Sequence, residues 1–111
     1  MALIAILTEP PSKVIYMSVQ MNPESKHIMA NGIKHHYLDW GNPLAPPLLM
    51  LHATGLCAST WLPIARELAK QFHVMAFDQR GHGDTNWAPD GDYSPEAHQN
   101  DTDGFVRAIG L

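Results

Sequence analysis

The chain has 111 residues, 45% of them hydrophobic and 16% charged, with a formal net charge of −4. That length allows one domain at most, the apolar content excludes global disorder, and the seven scattered Lys and Arg form no basic run of the kind nucleic acid recruits. A single cysteine, Cys57, leaves no disulfide framework and makes a reducing cytoplasm the expected compartment, and no apolar run is long enough to span a bilayer.

The N-terminal "MALIAIL" is apolar but lacks a basic flank and a small-residue cleavage site, and it stops at Glu9-Pro10-Pro11, so it does not read as a secretory signal. Residues 1–24 are expected to be a tail, with Met17 or Met21 as candidate starts, and patterned sequence runs over 25–111. Asn31-Gly32 is a strong two-residue hairpin signal, because both positions of a type I′ turn need positive φ. Its flanks, Lys26–Ala30 and Ile33–Trp40, are rich in β formers and predict an antiparallel hairpin. "GNPLAPP" (Gly41–Pro47) is a proline-stiffened connection to Leu48–Leu51, a short apolar run that suits a strand covered on both faces.

Beyond a small-residue loop, Ser59 or Thr60 can cap a helix whose apolar positions Trp61, Ile64, Ala65, Leu68 and Phe72 recur at helical spacing, with Pro63 in the first turn. A second apolar run, Val74–Phe77, ends at Asp78. Strand, helix and strand over this length predict a βαβ unit with parallel strands and a right-handed crossover. "QRGHGDTNWAPDGDY" reads as a long functional loop, and Ser94-Pro95 as an N-cap followed by proline at the first helical position. The final helix is apolar at Phe105, Val106 and Ile109, with Gly110 as its C-cap.

With these elements in place, the sequence resembles the α/β-hydrolase superfamily. The matching features stand in family order: the hairpin ending "HHYLDWG", the strand and loop "LLMLHATG", the helix opening at Trp61, and the strand-end motif "DQRGHGDT". The last is similar to Asp-x-Arg-Gly-x-Gly-x-Ser, with Thr85 in the serine place. The resemblance covers about Lys26 to Leu111 and implies an α/β fold class: the N-terminal part of an α/β-hydrolase domain over 25–111, its three-layer sandwich incomplete. It also implies a nucleophile–His–acid mechanism, a small-molecule substrate, and no metal or organic cofactor. Nucleic acid and membrane are not expected partners.

Attack on an ester or similar carbonyl develops charge on its oxygen, which fixed backbone donors stabilise. In the family one donor comes from the loop after the third strand and the other from the residue after the nucleophile. The resemblance makes the backbone N–H of Thr54 the candidate oxyanion donor, within a loop motif of His52, Ala53 and Gly55. Ala53 stands where the family usually has glycine. Asp78, Arg80, Gly81, His82 and Gly83 are expected to form a structural strand-end turn, braced by Asp and Arg and bent at the glycines. No Gly-x-Ser-x-Gly occurs in the 111 residues. The nucleophile is therefore expected beyond the helix that ends at Gly110, and the chain is expected to be inactive alone. The Leu48–Leu51 strand would then be an exposed edge through which the chain could self-associate.

Other readings compete for the same residues. His52 reads as a base or, more simply, as a histidine shaping its loop. Cys57 in "GLCAS" nearly matches a cysteine-nucleophile elbow, but it lies past the expected oxyanion loop and close to a helix start. His35 and His36 are neighbours on a strand and face opposite ways, which disfavours a shared metal. His27, His73 and His98 lack ligand spacing, and Asp84, Asp90 and Asp92 read as a solvated loop rather than a calcium site. "ATGLCA" (Ala53–Ala58) is also a degenerate Gly-x-Gly-x-x-Gly/Ala, with Asp78 as its ribose-binding acid in a dinucleotide-binding oxidoreductase. A non-catalytic, hydrolase-like binding module is the third class.

Overall fold

A computed structural model describes residues 3–6 and 19–111 of the chain; the remaining residues before Val19, Met17 among them, lie outside it. Five strands form one sheet: β1 (Leu3–Ile6), β2 (Val19–Ala30), β3 (Ile33–Gly41), β4 (Pro47–Leu51) and β5 (His73–Phe77), in the order β1-β4-β5-β3-β2. The hairpin forms where Asn31-Gly32 predicts it. Both residues take positive φ, 50° and 76°, the type I′ geometry that only such a pair adopts at little cost. β2 pairs antiparallel with β3 and is longer than expected, reaching back to Val19 across a register shift before Glu24. β4 and β5 are parallel, with Leu48 beside Val74 and Leu51 beside Phe77, as the βαβ reading requires.

The link between β4 and β5 turns helical earlier and more tightly than the cap signal suggested. A 3-10 turn covers Ala58–Trp61 and α1 covers Leu62–Leu68. Neither Ser59 nor Thr60 caps it; Cys57 holds the N-cap position with extended backbone and makes no capping hydrogen bond from its side chain. The tighter 3-10 rise also shifts the buried face, so Trp61 and Ala65 point inward while Ile64 is exposed. α2 (Pro95–Ala108) matches its predicted ends. Ser94 Oγ accepts from the Ala97 amide at 3.2 Å. At the other end Gly110, at φ 86°, closes a Schellman turn in which the amides of Gly110 and Leu111 reach the carbonyls of Arg107 and Val106.

The sheet is covered on both faces, so its central strands are apolar throughout. Leu48, Met50, Val74 and Ala76 pack with Trp40 against Trp61, Ala65, Ala69 and Phe72. The alternate residues Leu49, Met75 and Phe77 pack with Tyr37 against Phe105 of α2. Phe77 and Phe105 stack with centroids 4.6 Å apart. The result is α1, sheet and α2 in three layers.

One expectation is overturned. β4 is not a bare edge, because β1 pairs antiparallel along it, Leu3 beside Leu51 and Ile6 beside Leu48. Residues 3–6 and 19–24, assigned to a tail from the sequence, therefore run as strand. The cause is simple: "LIAI" is β-forming and apolar, and the outer row of β4 amides and carbonyls is a ready template for it.

Candidate active site

β4 and β5 end side by side, and the loops that follow, from His52 and from Asp78, meet at the carboxyl end of the parallel pair. That is where open α/β sheets place their ligands. The first loop is a tight turn: the Leu56 amide donates to the Ala53 carbonyl at 3.0 Å. Gly55 takes φ 84° at its third position. Thr54 is absent from the positive-φ residues, so the pattern is that of a type II turn, which needs glycine at this place. Ala53, in the place where the family usually has glycine, does not have positive φ; the turn's positive φ is carried two residues later by Gly55, and Ala53 is tolerated.

Thr54 is exposed at the tip of this turn, and among the described residues no hydrogen bond takes its backbone N–H. The Gly55 amide is different. It donates to His82 Nε2 at 3.1 Å. Of the two amides at the tip, then, one is held within the protein and one is open.

His52 is fully buried and structural. Its Nδ1 donates to the Ala53 carbonyl at 2.8 Å, and its Nε2 accepts from the Gln79 amide at 2.9 Å. Gln79 Nε2 also reaches the His52 carbonyl. Burial pushes the imidazole below the ordinary histidine value, so it is neutral in this setting. Both nitrogens are occupied, which leaves neither to act as a base.

The strand-end motif forms a brace, though not the one expected. Asp78 and Arg80 do not pair with each other. Asp78 Oδ1 accepts from the Ala58 amide at 2.7 Å, and Oδ2 accepts from His36 Nδ1 at 2.8 Å and from the Asp84 amide at 2.9 Å. Burial would raise this carboxyl, but the amide and imidazole donors outweigh it, and it lies below the usual carboxylate range. Arg80 instead forks onto Asp101 of α2, at 2.6 and 2.8 Å, and its remaining arm donates to the Asp92 carbonyl. Asn31 Nδ2 also donates to Asp101, which ties the hairpin tip to α2. Gly81 and Gly83 both have positive φ, 73° and 49°. Thr85 bridges β3 to β5, accepting from the His36 amide and donating to the Asp78 carbonyl.

The remaining candidates separate cleanly. Cys57 Sγ lies 3.0 Å from Ser59 Oγ and is half-buried. His35 packs edge-on against Phe77 while His36 faces Asp78, so the two point to opposite faces. His73 and Lys26 share Asp39 at the far end of the sheet. Donor atoms of His36, Asp78 and Asp84 lie within 4.8 Å of one another, but His36 and Asp78 are bonded to each other and to backbone, and the group acts as a brace. Sequence reasoning missed Asp101, the partner of Arg80. Its only local signal is a lone acid on the inner face of a helix that is otherwise apolar there. No helix among the described residues is long and apolar enough to cross a membrane.

These titrations set an expected acid response. His35 and His52 are both held below the ordinary histidine value by burial. The unfolded chain therefore binds more protons than the folded one as pH falls below about 6.5, and stability starts to decline there. Asp78 and Asp101 are depressed, so their stabilisation is complete above about 4 and is lost as pH falls through their folded values. Urea midpoints measured from pH 8 to 3 should fall in two stages. A midpoint that stays level between pH 7 and 5 would contradict the histidine stage.

Comparison with known proteins agrees with the fold. Residues 48–110 match the alpha/beta hydrolase family. N-formylmaleamate deformylase of Pseudomonas putida is 34% identical over 85 residues, covering 77% of this chain and 31% of that protein. Esterase Rv0045c of Mycobacterium tuberculosis is 36% identical over 87 residues, covering 78% and 28%. Among solved structures, a bacterial membrane phospholipase A superposes with TM-score 0.78 at 27% identity, over 82% of this chain and 29% of that one. The chain belongs to the alpha/beta hydrolase family. It spans about three-tenths of the length of these curated relatives. The dinucleotide reading is not favoured: Asp78, its would-be ribose ligand, is buried and fully engaged by Ala58, Asp84 and His36.

Proposed function

We propose that these residues supply the oxyanion-loop half of a cytoplasmic hydrolase acting on a small-molecule ester or similarly polarised bond, with the Thr54 N–H as one of the donors. The observation that carries this reading is the open Thr54 amide at the carboxyl end of the parallel strands, on a turn whose other inner amide is already held. A substrate carbonyl brought to that amide would gain charge as a nucleophile attacked it, and a fixed N–H stabilises that charge without reorganising. The relatives include a deformylase and an esterase, which supports acyl chemistry of this kind. None of the serines in the 111 residues sits in a Gly-x-Ser-x-Gly, and Cys57 has a serine hydroxyl rather than an imidazole beside it. On this reading the nucleophile, histidine and acid are provided outside this stretch, and the stretch alone should not turn over.

Thr54→Pro is the test, because proline removes the N–H yet is favoured at the second position of a type II turn. In the chain continued through a nucleophile-bearing strand, this change should lower kcat for p-nitrophenyl esters by roughly 10²–10³-fold with little change in KM. The 111 residues alone should show no hydrolysis above background. Unchanged kcat in the proline variant would overturn the assignment of Thr54, and turnover by the isolated stretch would overturn the division of the site.

A further inference from the structure

Among the described residues, His82 is the one loop residue whose side chain crosses between the two loops to take an amide at the oxyanion turn. Its Nδ1 donates to the Arg80 carbonyl at 2.9 Å within its own loop, and its Nε2 accepts from the Gly55 amide at 3.1 Å across the gap. His52 does the converse. It donates from Nδ1 to its own loop at Ala53 and accepts through Nε2 from Gln79 of the other loop. The two rings lie against each other with centroids 4.9 Å apart. Each imidazole is therefore fixed in the same tautomer by a carbonyl of its own loop and grips an amide of its neighbour's.

We propose that His82, clasped reciprocally with His52, is the positioning residue that sets the direction of the Thr54 N–H by holding the Gly55 amide. The geometry leads there directly. The peptide linking Thr54 to Gly55 is planar, so anchoring the Gly55 N–H fixes the rotation of that peptide. The adjoining Ala53–Thr54 peptide is tied at its carbonyl through the Leu56 amide and His52 Nδ1. With both peptides pinned, the open N–H is fixed rather than swinging with an exposed loop. Gly55 is exposed, with nothing within 4 Å of where a Cβ would stand, so side-chain packing there does not replace the clasp.

The inference rests on the oxyanion reading for its purpose but not for its physics, and the two can fail separately. A protonated imidazole carries N–H on both nitrogens and cannot accept, so the clasp has a signature that packing alone lacks. The charged and titratable groups set against the pair are His52 and His82 themselves, Asp78 at the end of β5, Arg80 of the same loop, and His98 on α2.

The experiment is nitrogen-15 NMR of the 111-residue chain titrated from pH 8 to 5, following the Gly55 amide and the His82 ring together. The Gly55 amide should shift together with the His82 ring, and its protection factor, taken against the intrinsic exchange rate at each pH, should fall roughly five- to tenfold when the ring is protonated, as loss of one neutral hydrogen bond predicts. In His82→Gln the side-chain carbonyl can still accept, so the Gly55 amide should stay protected and stop following pH. In His82→Phe it should be unprotected at every pH. A Gly55 amide that ignores the His82 titration in the native chain, or that still follows pH in the glutamine variant, overturns the clasp. Loss of ester hydrolysis in Thr54→Pro with the clasp absent leaves the oxyanion reading standing. An intact clasp with Thr54→Pro fully active has the opposite meaning.

Discussion

Asp101→Asn should cost about 3–5 kcal/mol of folding stability, the typical penalty for removing one partner of a buried ion pair. Arg80 and Asp101 are 5% and 1% exposed, and the guanidinium fork meets both carboxylate oxygens. Asparagine preserves the shape but removes the charge, and it turns an N–H₂ toward a group that can only donate. The guanidinium cannot shed its proton, so it stays charged and loses its counter-ion. The loss spreads, because Asn31 shares the same carboxylate and Arg80 also ties down the Asp92 carbonyl. Against a usual total of about 5–15 kcal/mol, the chain would sit near its unfolding limit. Urea denaturation beside Asp103→Asn provides the comparison. Asp103 also pairs with an arginine, accepting from Arg107 at 2.6 Å, but through one oxygen and on the surface, where such pairs count for little. Equal midpoints for the two variants would show that the buried pair does not hold α2 to the strand-end loop.

The second large effect is expected at Gly83. Alanine there would adopt φ 49°, which costs roughly 1–2 kcal/mol for a residue with a Cβ. The added carbon would also fall 2.2 Å from Asp78 Oδ2 and 2.4 Å from its Cγ. Asp78 cannot move aside without breaking its contacts with Ala58, Asp84 and His36, each a hydrogen bond to a charged group worth about 1.5–3 kcal/mol. Gly83→Ala should therefore lose at least about 2.5 kcal/mol, combining the backbone cost with one or more of those bonds. Gly110→Ala has a similar backbone requirement, φ 86°, but nothing within 4 Å of the new carbon, and it should lose only about 1–2 kcal/mol. If the two glycines respond alike, the close approach to Asp78 has no energetic weight.

Features encoded within a few residues were readable before the fold was known. Asn31-Gly32, Ser94-Pro95 and Gly110 each specify a backbone conformation that few other residues adopt, and each sits where its chemistry predicts. The parallel pair was equally legible, since four or five consecutive apolar residues need cover on both faces. The helix after the oxyanion loop was less so. Ser59 and Thr60 offer caps, but Asp78, twenty residues away, takes the Ala58 amide and starts the turn earlier. Arg80 shows the same limit more sharply. Its motif suggests an acidic partner close by, and the partner is Asp101 on another layer, marked only as a lone acid on the inner face of α2. At the site, Thr54 could be singled out by family position, whereas the division of labour between its open amide and the held amide of Gly55 depends on His82 arriving from the other loop.

Strand β1 lies along the outer side of β4, antiparallel to it. A backbone rim offers one row of donors and acceptors and so accommodates a single tenant. Any further strand approaching that rim must evict Leu3–Ile6 before it can zip up beside Leu48–Leu51, so the two arrangements are mutually exclusive and exchange through a frayed intermediate. The opposite rim of the sheet is guarded in another manner: β2 carries Pro23, Glu24 and Lys26, which discourage a visiting chain from annealing there.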